Sequence, residues 1–131
     1  MPYVSAVEQA INCMWERYSE PLSLTDIARS AMLSPFHFSR VFKQATGVSP
    51  GKFLTAVRMH QAKRMLLATS MNVADVSVAV GYNSPGSFTS RFTDSVGIPP
   101  SRFRQTAQTS PPTGPPLDAW LSQASPNGAD R

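Results

Sequence analysis

Acidic residues are scarce in this chain and missing from its middle. Eight Asp and Glu stand against twelve Lys and Arg, a formal charge of +4, and no carboxylate occurs between Asp26 and Asp75. Cysteine is limited to Cys13, which excludes an internal disulfide and a cysteine-anchored zinc finger. Its place in an apolar helical pattern marks it as a buried structural thiol. No apolar run reaches the length of a membrane span, and the N-terminus lacks a basic region followed by an apolar block. A soluble, cytoplasmic protein is expected. Paired carboxylates, a glycine-rich phosphate loop, a metal-ligand cluster and a nucleophile–base set are all missing, so neither an enzyme nor a cofactor is expected. At 131 residues, with 41% hydrophobic residues, the chain holds one domain or two very small ones sharing contacts.

What the middle does contain is positive charge. Arg29, Arg40, Lys43, Lys52, Arg58, Lys63 and Arg64 all fall in the acid-free stretch. Ordinary solvated helix faces mix signs, so an unrelieved basic segment points toward a phosphate backbone.

The second feature is an internal repeat. Ser34–Phe53 (SPFHFSRVFKQATGVSPGKF) returns fifty positions later as Ser84–Phe103 (SPGSFTSRFTDSVGIPPSRF). The register pairs Phe38 with Phe88, Phe42 with Phe92, Gly47 with Gly97, Pro50 with Pro100 and Phe53 with Phe103. Two copies are too few for a solenoid and imply a duplicated helical module. Each copy opens with Ser-Pro, a capping hydroxyl before a proline at the first helical position, and ends at glycine. Phe38, Val41, Phe42 and Ala45 lie at helical spacing and predict a buried face. The other face of this helix carries Phe36, His37, Ser39, Arg40, Lys43 and Gln44. A short helix with an apolar back and such a front suits a DNA major groove.

Taken in order, Val4, Val7, Ile11, Met14 and Tyr18 predict an amphipathic helix over about 3–18. Ser23–Asp26 resembles a capping box opening a short helix to about Ala31, buried through Leu24, Ile27, Ala28 and Ala31. Met32-Leu33 forms a turn into the Ser34 helix, which makes a helix-turn-helix. Ser49-Pro50 starts the longest helix, to about Ala68, spanning roughly 28 Å. Its Lys52, Arg58, Lys63 and Arg64 either touch phosphates or stay in water, and His60 is a surface or packing residue. Val73–Val80 makes a fifth helix. Asp75-Val76 matches Asp26-Ile27 at an offset of 49, so one extra turn residue, Asn83, precedes Ser84. Gly81 suits a positive φ there. A final helix runs from Pro100 to about Gln105. From about Ala107 the composition turns to Gln, Thr, Ser, Pro and Gly, which predicts a disordered tail; Leu117, Trp120 and Leu121 within it form a weak docking pattern.

Glu20–Ala28 (EPLSLTDIA), Leu33–Leu54, Arg58–Leu67 (RMHQAKRMLL), Val80–Phe92 (VGYNSPGSFTSRF) and Val96–Arg104 together resemble the DNA-binding region of the AraC/XylS family of bacterial transcription regulators. The resemblance covers about residues 5–106. It implies an all-α fold of seven helices over residues 1–106, in two helix-turn-helix modules (about 5–48 and 72–106) joined by the linker helix (about 50–68), with a tail at 107–131. It also implies two reading helices in successive major-groove segments of double-stranded DNA, RNA polymerase as a candidate partner, and activation as the commoner role. Phe36, Ser39, Arg40 and Lys43 are the readers implied for the first module. Arg40 suits guanine, Phe36 a thymine methyl, Ser39 a base edge or phosphate, and Lys43 a phosphate; His37 and Gln44 lie beside them. Their second-module equivalents are Gly86, Thr89, Ser90 and Thr93, flanked by Ser87 and Arg91. There the family's usual Arg and Lys are replaced by Ser90 and Thr93, and Asp94 follows. Arg91 stands in the slot of Val41, about 100° round the helix, and is expected at a phosphate. The first module is therefore expected to dominate affinity. The first helix begins almost at Met1, which suggests a short stand-alone regulator, monomeric on DNA. A shortened form of a longer regulator, and a helical protein-interaction module with weak or non-specific DNA binding, are the alternatives.

Overall fold

The computed structural model describes residues 4–109. In them lie seven helices and no strand: α1 (Val4–Arg17), α2 (Leu24–Ser30), α3 (Pro35–Thr46), α4 (Pro50–Ala68), α5 (Val73–Ala79), α6 (Pro85–Val96) and α7 (Pro100–Thr109). Ser23 caps α2 in a reciprocal capping box: its hydroxyl accepts from the Asp26 N–H at 3.1 Å, and its own N–H donates to the Asp26 carboxylate at 3.0 Å. Ser34, Ser49, Asn72 and Ser84 cap α3 to α6, and prolines follow the three serines. Gly47 and Gly97 close α3 and α6 in the left-handed conformation.

The helices enclose two cores, one per module. Residues of α1, α2 and α3 pack on Phe53, Leu54, Ala56 and Val57 from the start of α4. Val76, Val80, Phe88 and Phe92 pack on Met59, Ala62 and Leu66 from its later turns, with Phe103 of α7 against them. The repeat is visible as two aromatic chains. Phe38, Phe42 and Phe53 follow one another at centroid distances of 5.5 and 5.4 Å. Phe88, Phe92 and Phe103 do so at 5.7 and 5.5 Å. Tilted and edge-on pairs of this kind add to the area term of core burial. Helix α4 therefore belongs to both modules and carries them on opposite ends.

Three differences from the sequence reading have local causes. Helix α7 continues through Thr109, past the expected end near Gln105, because no proline or glycine intervenes before Pro111; the first residues assigned to the tail are thus helical, and the remainder with Trp120 lies outside the described residues. Ala45 is exposed, since α3 ends at the Gly47 turn and Val48, beyond it, packs on the core. Leu24, expected in the core, is the first residue of α2 and is 41% exposed, while Leu22 before the cap packs there instead.

The two helix-turn-helix turns have matching backbones. In the first, the Met32 N–H donates to Arg29 O and the Leu33 N–H to Ala28 O, at 3.0 and 3.1 Å. In the second, the Gly81 N–H donates to Val78 O and the Tyr82 N–H to Ser77 O, at 3.0 and 2.9 Å. Met32 (φ 59°) and Gly81 (φ 98°) thus fill the same left-handed position, and Asn83 is the inserted residue, as the offset of 49 requires.

Candidate nucleic-acid interface

The second helix of each helix-turn-helix pair, α3 or α6, presents its polar stripe to solvent. On α3, Phe36, Arg40, Lys43 and Gln44 are exposed and His37 and Ser39 half-buried, while Phe38, Val41 and Phe42 face the core. Phe36 is 75% exposed, an unusual position for so large an apolar ring. The Arg40 guanidinium stands 5.8 Å from its centre, within reach of a cation–π contact across one helical turn. Among the described residues, neither Arg40 nor Lys43 is ion-paired; the pairs are Arg17 with Glu20 and Arg29 with Asp26. The front of α3 thus carries two uncompensated cations.

On α6 the corresponding stripe is neutral and partly occupied. Gly86, Ser87, Ser90 and Arg91 are exposed, and Thr89 and Thr93 half-buried. The Thr93 hydroxyl donates to Thr89 O at 2.7 Å, and the Ser84 and Ser87 hydroxyls meet at 3.0 Å. These hydroxyls already have hydrogen-bond partners in the free protein. The preceding helices also differ: exposed Arg29 on α2, paired with Asp26, corresponds to Val78 on α5, 66% exposed.

Arg91 leaves the reading stripe for the space between the modules. A cleft of about 520 Å³ separates the start of α4 from the second half of α6, with Val48, Lys52, Thr55 and Ala56 on one wall and Arg91, Asp94 and Ser95 on the other. Arg91 and Asp94 also border Gly86, Ser87 and Ser90, so the cleft opens beside the reading stripe of α6. Lys52 and Arg91 face it from opposite walls, and Asp94 adds one negative charge to the lining.

Arg58 is a basic residue whose role sequence reasoning missed. It neither faces solvent freely nor lies on a reading stripe. Its Nε donates to Tyr18 O and its Nη2 to Glu20 O, both at 2.8 Å, and its guanidinium lies 5.8 Å from the Tyr82 ring centre. Burial lowers the Arg58 pKa and raises that of the Tyr82 phenol, both groups having lost water at this junction. Arg104 holds the end of α4 in the same way, its Nε donating to Leu66 O at 2.9 Å and its Nη2 to Thr69 O at 3.2 Å. His60 packs edge-on against Trp15 at 5.6 Å, in keeping with a packing residue on α4. Cys13 is buried, as its helical pattern indicated.

Two three-helix units sharing one long helix, each presenting an exposed polar stripe on α3 or α6, define a tandem helix-turn-helix domain. Residues 27–106 match the family described as a helix-turn-helix domain, and the chain belongs to this AraC-type family of DNA-binding transcription regulators. It is 32% identical over 98 residues to the lactose operon transcription activator of Staphylococcus xylosus, covering 75% of this chain and 35% of that one. The structure is similar to the DNA-binding domain of AdpA, solved in complex with a target DNA (TM-score 0.77, 26% identity, 83% of this chain and 98% of that one). It is also similar to an AraC-type transcriptional regulator from Chromobacterium violaceum (TM-score 0.75, 29% identity, 82% of this chain and 96% of that one). The chain spans between about an eighth and a half of the length of the curated relatives it matches. Among the described residues no cluster of ligating side chains could hold a metal, and no helix is long and apolar enough to cross a membrane.

Proposed function

We propose that the chain binds double-stranded DNA sequence-specifically by placing α3 and α6 in successive major-groove segments, and that it activates transcription. One observation carries the reading: two exposed stripes belong to modules whose cores are built on the first and the later turns of one helix of 19 residues, roughly 28 Å long. Successive groove segments on one side of a duplex lie about 34 Å apart, a span that such a helix and its flanking turns suit. One chain thus supplies the pair of readers for which simpler repressors need two subunits, so it works as a monomer on DNA.

The two readers contribute unequally in this proposal. Arg40, steadied by Phe36, pairs with guanine O6 and N7, worth about 1–3 kcal/mol of discrimination. Phe36 also offers its ring to a thymine methyl. Ser39, His37 and Gln44 border the same groove, and Lys43 takes a phosphate. On α6, Gly86, Ser87, Thr89, Ser90 and Thr93 form a small, neutral surface that positions more than it discriminates. Arg91 and Lys52, across the cleft, take phosphates of the strand joining the two segments. Activation rests on the name of the S. xylosus relative, and RNA polymerase is the partner that this role requires.

Selection of bound duplexes from a random pool, then titration against scrambled DNA at physiological salt, tests the reading. An asymmetric site is expected, with two elements about one helical turn apart, most information in the half read by α3, and affinity at least about 10³ above scrambled DNA. Arg40→Ala should cost more than Ser90→Ala or Arg91→Ala. Weak binding that follows salt alone, with no motif, would replace this reading with non-specific association. No DNA binding at all would favour a protein-interaction module.

A further inference from the structure

The separate cores leave the modules joined by one continuous helix and by whatever bridges them beside it. That bridge is compact. The connection between α1 and α2 supplies the carbonyls of Tyr18 and Glu20, and Tyr18 packs against both cores. The α5–α6 turn supplies Gly81 and Tyr82. Arg58, on α4, contacts both connections at once, with two charge-assisted hydrogen bonds on one side and an aromatic face on the other. The approach is close enough that a Cβ on Gly81 would lie 2.9 Å from Tyr18 O, 3.2 Å from Ser19 O and 3.3 Å from Arg58 Nε. Arg104 makes the equivalent carbonyl bonds within the second module alone. Arg58 therefore spans the modules where Arg104 does not.

We infer that Arg58, with Tyr82 and Gly81, is a positioning device that locks the two modules at one separation and so sets the spacing of DNA half-sites the chain accepts. The inference rests on the two-reader function proposed above. A helix alone resists axial stretch but bends gently over its length, and a pivot near its middle would be magnified at α3 and α6. A bridge beside the helix axis closes that pivot. The guanidinium's planar fork suits it to hold two carbonyls at fixed angles, which a lysine ammonium does poorly.

The test measures affinity of the full chain for its selected bipartite site and for the same site lengthened or shortened by one base pair, in the wild type, Arg58→Met and Tyr82→Leu. Affinity for the first half-site alone serves as the control. A chain with rigidly spaced readers loses simultaneous engagement when the spacing is wrong, so the wild type should weaken by about tenfold or more on either altered site. The variants should keep half-site affinity but weaken by less than about threefold on altered sites, and Arg58→Lys should fall between. In parallel, spin labels at Glu8→Cys and Ser101→Cys, exposed positions in different modules, report the inter-module distance without DNA in a Cys13→Ala background. Its distribution should broaden in Tyr82→Leu and in Arg58→Met. A wild-type spacing penalty that persists in both variants, or an unchanged distance distribution, overturns the inference. If Arg58→Met does not fold, Tyr82→Leu decides by both readouts. If the wild type selects no bipartite site, the two-reader function fails, and the distance measurement still decides the lock.

Discussion

Arg40 and Phe36 sit one turn apart on α3, with the guanidinium 5.8 Å from the ring centre and both side chains in solvent. A flexible arginine is held over a flat surface before any partner arrives, which lowers the entropy lost when it pairs with a base. Phe36→Ala should therefore weaken specific binding through Arg40 as well as through any contact of its own. The expected loss is about 0.5–1 kcal/mol from the lost stacking. In a double-mutant cycle with Arg40→Ala the two losses should be clearly less than additive. Strict additivity would show that the ring does not position the arginine.

Met32 occupies a left-handed position (φ 59°) with its side chain 87% exposed, where the second module has Gly81. The L-residue penalty there is about 1–2 kcal/mol, and the side chain buries too little to offset it. Met32→Gly should raise stability by about 0.5–1 kcal/mol after the added unfolded-state entropy of glycine. Urea denaturation at constant m-value would measure it, and a lower midpoint would contradict the argument.

Asp94 lines the cleft between Lys52 and Arg91 and borders the reading stripe of α6. A carboxylate facing phosphates opposes association, so Asp94→Asn should tighten DNA binding by about two- to tenfold at low salt. The gain should shrink as salt is added, because exposed charges are screened. Equal affinity for the two proteins at low ionic strength would place the DNA backbone elsewhere.

The pH dependence of folding should carry the signature of the Ser23–Asp26 box. Asp26 has a pKa below its ordinary value, chiefly because the Ser23 backbone N–H bonds its carboxylate, with the Ser23 hydroxyl second. A depressed pKa means stability that is present above the unfolded-state value and lost as pH falls toward the folded-state value. Stability should therefore drop below about pH 4, the ordinary aspartate range. Asp26→Asn should flatten that part of the profile, as read from thermal unfolding between acid and neutral pH.

Much of this molecule is legible in one dimension because the determining interactions are local or periodic. A serine before a proline caps a helix through an N–H three residues on, as Ser34 does for His37 and Ser49 for Lys52. Phenylalanines at a four-residue interval must share a helix face, which is why the Phe38–Phe42 and Phe88–Phe92 stripes could be placed in the core from spacing alone. The one-residue offset between the repeats was enough to locate the insertion at Asn83. The polar front of α3 was legible for the same reason, being what remains once the buried stripe is removed, whereas the choice of readers within it is what the family resemblance implies.

Tertiary structure decided what each charge does. Arg58 looked no different from its neighbours Lys63 and Arg64, yet its partners are carbonyls 38 and 40 residues away and a ring across the module boundary. Arg91 was assigned to a flank by its angle on the helix, but only the packing of α6 near α4 aims it into a cleft with Lys52. Sequence by itself settled the seven helices, their caps and the duplicated core, since a side chain's periodicity and its reach to the next turn are encoded within a few residues. The separation of the readers and the division of basic residues between holding the fold and facing a ligand depend on groups brought together from distant turns. No local pattern specifies those distances.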